Sequence, residues 1–126
     1  MSGIVGLYNL HGAPIPQWLL RRMTDALAFR GPDAQTIWSQ DFIGLGHALL
    51  RTTDEAASEQ QPLSFDGKVW IIADARLDGR AELQRKLAAH GSEVALARPD
   101  VEFVLHAYLA WGERCVDHLL GDFAFA

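Results

Sequence analysis

The chain has a single cysteine, Cys115, so no disulfide can form within it, which fits a reducing, cytoplasmic setting. No apolar run approaches the ~20 residues that a membrane span needs. The N-terminus lacks a basic stretch followed by a long apolar one, so no signal peptide is visible and no membrane partner is expected. Positive charge is also in short supply: 11 Lys and Arg stand against 16 Asp and Glu, for a net charge of −5. That balance argues against a nucleic-acid partner. The five His are dispersed, and Cys115 with His118 is a lone i,i+3 pair, so no metal site is expected. Repeats, low-complexity tracts and charge blocks are absent too.

What remains is an ordinary globular composition. At 126 residues, 49% hydrophobic and 21% charged, the chain fits one domain with a real core. The four Trp (Trp18, Trp38, Trp70, Trp111) are scattered, which suits core or interface packing better than a sugar or base platform.

Gly3 to Leu10 is β-branched and apolar and reads as a strand. Pro16 suits the first turn of a helix whose apolar face is Leu19, Leu20, Met23 and Leu27, with Gly31-Pro32 ending it. Gln35–Ser39 and Phe42–Leu50 read as two strands joined at Gln40-Asp41, and glycines at 44 and 46 allow close backbone approach. Residues 52–61 are polar and read as a loop. Lys68–Ala75 reads as a buried strand. A helix follows Asp78-Gly79, with Leu83 and Leu87 inward, and His90-Gly91 closes it. Another begins at Pro99-Asp100, with Asp100 as N-cap and Val101, Val104, Leu105, Tyr108 and Leu109 at helical spacing. A short helix through Leu119 and a strand from Asp122 to Ala126 complete the pattern, an α/β or α+β layered fold.

Six short motifs, in order, carry a resemblance. They are Ser2-Gly3-Ile4-Val5-Gly6, Arg30-Gly31-Pro32-Asp33, Gly44-Leu45-Gly46-His47, Gln61-Pro62-Leu63, Pro99-Asp100-Val101-Glu102 and Gly121-Asp122-Phe123-Ala124-Phe125-Ala126. Together they resemble the N-terminal glutamine amidotransferase domain of the asparagine synthetase family, a class II, N-terminal-nucleophile domain. The resemblance implies an α+β fold of the N-terminal-nucleophile hydrolase type, a four-layer αββα sandwich. Residues 1–126 would be a partial type 2 domain, cut short. The remainder of that domain and an ATP- and Mg-using synthetase domain would lie outside the chain, which itself needs no cofactor.

The family reaction uses a cysteine at position 2, freed of Met1, whose α-amine acts as base while its thiol attacks the glutamine amide. Here position 2 is Ser2. The resemblance places the oxyanion-hole motif N-G-E at Asp74-Ala75-Arg76, so Asp74 and Ala75 hold the oxyanion positions. Asp74 puts an acceptor-only carboxylate where an amide donor is needed. Glutamine-binding positions fall at Leu49, Arg76 and Asp100, with Arg51 as a substitute for the arginine missing at 49. Phe29 stands where the family has a histidine. Arg30 and Asp33 have a sufficient reading as an ion pair or turn, and His47 as a residue packed under the sheet.

These departures put glutamine in doubt as a ligand. The preferred expectation is a degenerate amidotransferase domain, without glutaminase activity, that docks to a C-terminal ATP-dependent amide-forming domain. The alternatives are an active glutaminase domain of an asparagine synthetase with Ser, or an originally present Cys, at position 2, and a non-enzymatic interaction module. The last includes self-association through the strand at 122–126.

Overall fold

The computed structural model describes all residues, Met1 to Ala126. Two antiparallel sheets lie between helices, as the resemblance implies. The first sheet has order β1-β3-β2, from β1 (Gly3–Tyr8), β2 (Ala34–Gln40) and β3 (Ile43–Leu49). The second pairs β4 (Ala73–Leu77) with β5 (Gly121–Phe125). Helix α1 (Gln17–Asp25) packs on the first sheet; α3 (Asp100–Trp111) packs on β4, with α2 (Arg80–Ala89) beside it.

Close approach of α1 to the sheet depends on the two glycines of β3. They sit two apart and so share a face. A Cβ on Gly46 would lie 2.1 Å from Thr24 Oγ1, and one on Gly44 would lie 3.0 Å from Leu20 Cδ2. Thr24 is fully buried in the last turn of α1, where its hydroxyl donates back to the Leu20 carbonyl at 2.8 Å. The alternate residues of β3, His47 and Leu49, therefore project from the opposite face, toward β4. Gly31 is constrained more tightly still, since a Cβ there would sit 2.0 Å from the Ala48 carbonyl oxygen.

The main core lies between the second sheet and its helices. Ile71, Ala73, Leu77, Leu83, Leu87, Val101, Phe103, Val104 and Leu105 belong to it. Phe103 is completely buried, which contributes about 1.5–3 kcal/mol relative to exposure. The helix spacing correctly marks Val101, Val104 and Leu105 but not the far end, where Tyr108 and Leu109 are exposed. Likewise Leu20 is buried on α1 while Met23 is not.

Several local expectations are corrected. Helix α1 ends at Asp25, and hydrogen-bonded turns, not helix, carry the chain to Gly31. Residues Glu55–Ser58 form a 3-10 turn within the polar segment, with Thr53 Oγ1 accepting the Ala56 N–H at 3.2 Å. The strand expected from Lys68 starts only at Ala73, because Ile71 is engaged by a single bridge to Leu63. Of the two readings of Arg30 and Asp33, the turn stands and the ion pair does not: both residues lie in turns, and the Asp33 carboxylate accepts the backbone N–H of Arg51 at 2.7 Å. Asp100 is the first residue of α3 and not its cap, a place taken by Pro99.

Candidate functional site

Ser2 lies at the start of β1, buried, where the first sheet meets β4. Its backbone N–H donates to Asp74 Oδ1 at 3.0 Å, and its Oγ accepts the Leu50 N–H at 3.1 Å. Both contacts join residues far apart in sequence: Asp74 of the second sheet holds the Ser2 backbone, and the Leu50 N–H, just after β3, holds its side chain. Beside it opens a cavity of about 360 Å³ whose lining includes Ser2, Asp74, Ala75, Arg76, Arg80 and Asp100.

The edge of β4 forms one wall. Ile72 and Ala126 exchange both backbone hydrogen bonds at 3.0 Å, and the Asp78 N–H reaches Leu120 O at 2.8 Å. By the alternation of an antiparallel ladder, the N–H groups of Ala73, Ala75 and Leu77 point away from β5. Two of the three are taken by side chains. The Gln61 amide grips Ala73 from both sides, accepting its N–H at 2.6 Å and donating to its carbonyl at 3.0 Å. Asp100 Oδ2 accepts the Leu77 N–H at 3.1 Å. Between them the Ala75 N–H faces the cavity with no protein partner.

Asp100 reaches this position through a partly buried network. Arg80 Nη1 lies 3.2 Å from Asp100 Oδ1, and Arg80 Nη2 donates to Leu96 O at 2.6 Å and to Arg98 O. The same guanidinium lies 4.7 Å from the centre of the Phe103 ring. Burial pushes the Asp100 carboxyl above its ordinary range, while the Leu77 N–H and Arg80 pull it back. Burial likewise raises Glu59, opposed by the hydrogen bond from Gln61.

Asp74 and Arg76 sit two apart on β4 and so share a face, offering a carboxylate and a guanidinium to one cavity. Leu49 and Arg51 are elsewhere. They line a second depression of about 450 Å³ with His47, Trp38 and Trp70. Glu59 and Gln61 border both spaces. The two Trp rings there stack at 4.4 Å. Phe29 is 81% exposed and touches neither cavity. Nowhere do three His, Cys, Asp or Glu side chains gather to hold a metal ion, and no helix is long and apolar enough to cross a membrane.

Thus five of the residues singled out in the sequence, Ser2, Asp74, Ala75, Arg76 and Asp100, converge on one cavity, and two, Leu49 and Arg51, do not. Sequence reasoning gives no role to Gln61, Glu59, Thr52, Thr53, Glu55 or Arg80. Only Gln61 carries a signal, the adjoining Pro62-Leu63 motif, and that says nothing of its pairing with Ala73. Gln61→Ala should strip two buried backbone groups of their partners. The expected loss is about 2 kcal/mol of unfolding free energy, measurable by urea denaturation.

The sequence profile of the glutamine amidotransferase domain family matches residues 1–126, the whole chain. Asparagine synthetase (glutamine-hydrolyzing) 3 of Bacillus subtilis is 37% identical over 129 residues, covering 100% of this chain and 21% of the relative. Asparagine synthetase (glutamine-hydrolyzing) 1 of the same organism is 30% identical over 131 residues, covering 99% of this chain and 20% of the relative. Amidase chry2 of Gibberella zeae is 32% identical over 109 residues, covering 84% of this chain and 16% of the relative. The chain therefore spans about a fifth or less of the length of these curated relatives. With a full-length family match and a 37% identical relative covered by the entire chain, this protein belongs to the glutamine amidotransferase domain family.

Proposed function

We propose that this chain is the amidotransferase-type domain of an asparagine-synthetase-type, ATP-dependent amide-forming enzyme, and that it has lost glutamine hydrolysis. Its remaining role is structural: it docks to a C-terminal synthetase domain, which itself uses ATP and Mg. The observation that carries this reading is the position of Asp74. Its carboxylate sits beside the nucleophile position, bonded to the Ser2 N–H at 3.0 Å. An acyl-transfer intermediate there needs hydrogen-bond donors around its developing oxyanion. Of the two aligned positions, the Ala75 N–H can donate, but the Asp74 side chain only accepts and adds repulsion.

Two further features support the same conclusion. Ser2 supplies a hydroxyl, far less ionised near neutrality than a thiol. The cavity beside it receives no cation from position 49 or 51, because both lie on the second depression. Purified protein incubated with glutamine should release ammonia no faster than its Ser2→Ala variant. Release that is clearly measurable, and abolished by Ser2→Ala, would overturn the proposal in favour of a serine-dependent glutaminase.

A further inference from the structure

The contact between Ser2 and Asp74 has a different meaning if Met1 is removed. Met1 is 74% exposed at the cavity mouth, whereas Ser2 is 8% exposed. Hydrolysis of the Met1–Ser2 bond adds water across it. Methionine leaves with the carboxyl group, and Ser2 keeps an α-amine that takes a proton from solvent. The nitrogen that now donates to Asp74 Oδ1 at 3.0 Å would then carry a positive charge. We propose that Asp74 is the anchoring partner of this N-terminal ammonium. The ion pair holds the amine protonated, so it cannot accept the proton of the Ser2 hydroxyl. The inference rests on the reading of this domain as one without glutaminase activity and supplies a cause for it.

The surroundings decide which charge dominates. Around the cavity, β4 contributes Asp74 and Arg76, the segment after β3 contributes Glu55 and Glu59, α2 contributes Arg80 and α3 contributes Asp100. Arg80 is committed to Asp100 at 3.2 Å. Arg76 is exposed, so solvent screens its repulsion. His47, behind the wall, is held neutral by burial. Burial of the amine itself works against protonation. A contact ion pair with a direct hydrogen bond outweighs it, since the amine borders an open cavity and an opposite charge at this range shifts a titration by about 1–3 units.

The test uses protein released from a cleavable N-terminal fusion so that it begins at Ser2. The rate of Ser2 acetylation by acetic anhydride is followed against pH by mass spectrometry, in the native sequence and in Asp74→Asn and Asp74→Ala. The native midpoint should lie about one unit or more above the ordinary α-amine value of about 7.7–8.0. Both variants should lower it by a similar amount, giving roughly tenfold more free amine at neutral pH. Equal midpoints in all three proteins, or a native midpoint at or below the ordinary value, would overturn the ion pair. Asp74→Asn keeps the size and a hydrogen-bonding group, so the comparison does not hang on the alanine variant folding. An ordinary amine in a protein inert toward glutamine removes only this inference. A raised amine in a protein that hydrolyses glutamine leaves the ion pair standing but removes the functional reading and, with it, the blocked amine as its cause.

Discussion

Ser2→Cys will not give this protein a glutaminase activity above that of Ser2→Ala, measured as ammonia release from glutamine. The substitution repairs the nucleophile alone. A thiol is a better nucleophile than a hydroxyl near neutrality, and the Leu50 N–H, now 3.1 Å from Ser2 Oγ, would remain close to the sulfur. The next step still fails. The tetrahedral intermediate puts negative charge on an oxygen near Asp74, whose carboxylate stands 3.0 Å from the Ser2 nitrogen. Lacking one oxyanion donor typically costs about 2.7–4 kcal/mol, or 10²–10³ in rate, and a carboxylate in its place costs more.

The double variant Ser2→Cys with Asp74→Asn should therefore exceed Ser2→Cys by at least about 10²-fold. The second substitution is nearly isosteric: one carboxylate oxygen becomes an amide nitrogen, and an acceptor becomes a donor. A Ser2→Cys protein that hydrolyses glutamine readily by itself would show that Asp74 does not obstruct the reaction. The functional proposal would then have to be replaced by that of a competent site lacking only its sulfur.

Acid should destabilise the fold through His47, by about 3 kcal/mol between pH 6.5 and pH 4. This imidazole is 1% exposed between the sheets, and its Nε2 has no hydrogen-bond partner. Burial lowers its pKa from 6.5 to about 4, against the Ala73 carbonyl and the charge of Asp74, which favour the proton. The unfolded chain takes up that proton near pH 6.5 while the folded one does not. Stability from the neutral imidazole is therefore fully present above pH 6.5 and is lost as pH falls toward 4. Glu59 and Asp100 act in the opposite direction. Their carboxyls are raised in the fold by burial, so their contribution favours acid and declines as pH rises. Comparing wild type with His47→Gln isolates the histidine. The difference in unfolding free energy, from urea titrations across this range, should change by about 3 kcal/mol. Parallel curves would mean that the buried histidine is not held neutral.

Much of the fold is readable because it is written in local patterns. The β2–β3 hairpin is legible in two strand-like segments around Gln40-Asp41, and Asp41 adopts a φ of 50° at the turn. The spacing of Gly44 and Gly46 marks the face on which α1 lies. Asp100 shows where such reading stops. Pro-Asp before an apolar run is a local signal for a cap, but the carboxylate instead serves Leu77 and Arg80, 23 and 20 positions away, which no neighbouring residue reveals. The start of β4 is missed for a related reason. Val69, Trp70, Ile71 and Ile72 are as strand-like as Ala73, and only pairing partners distant in the chain set the boundary. At the site, the resemblance singles out five residues that the fold gathers into one cavity. It does not separate them from Leu49 and Arg51, because the end of β3 and the residues just after it turn those toward a different space.

The grip of Gln61 on Ala73, and of Asp100 on Leu77, also caps an edge. A bare strand edge accepts any extended chain, of any length, and so invites pairing with other molecules. Here two side chains stand as end stops, 4 positions apart along β4, and only Ala75 is left open between them. The edge of β4 is thus open at one N–H only, where an uncapped strand would offer three, and the pairing that a bare edge invites is confined to a single residue.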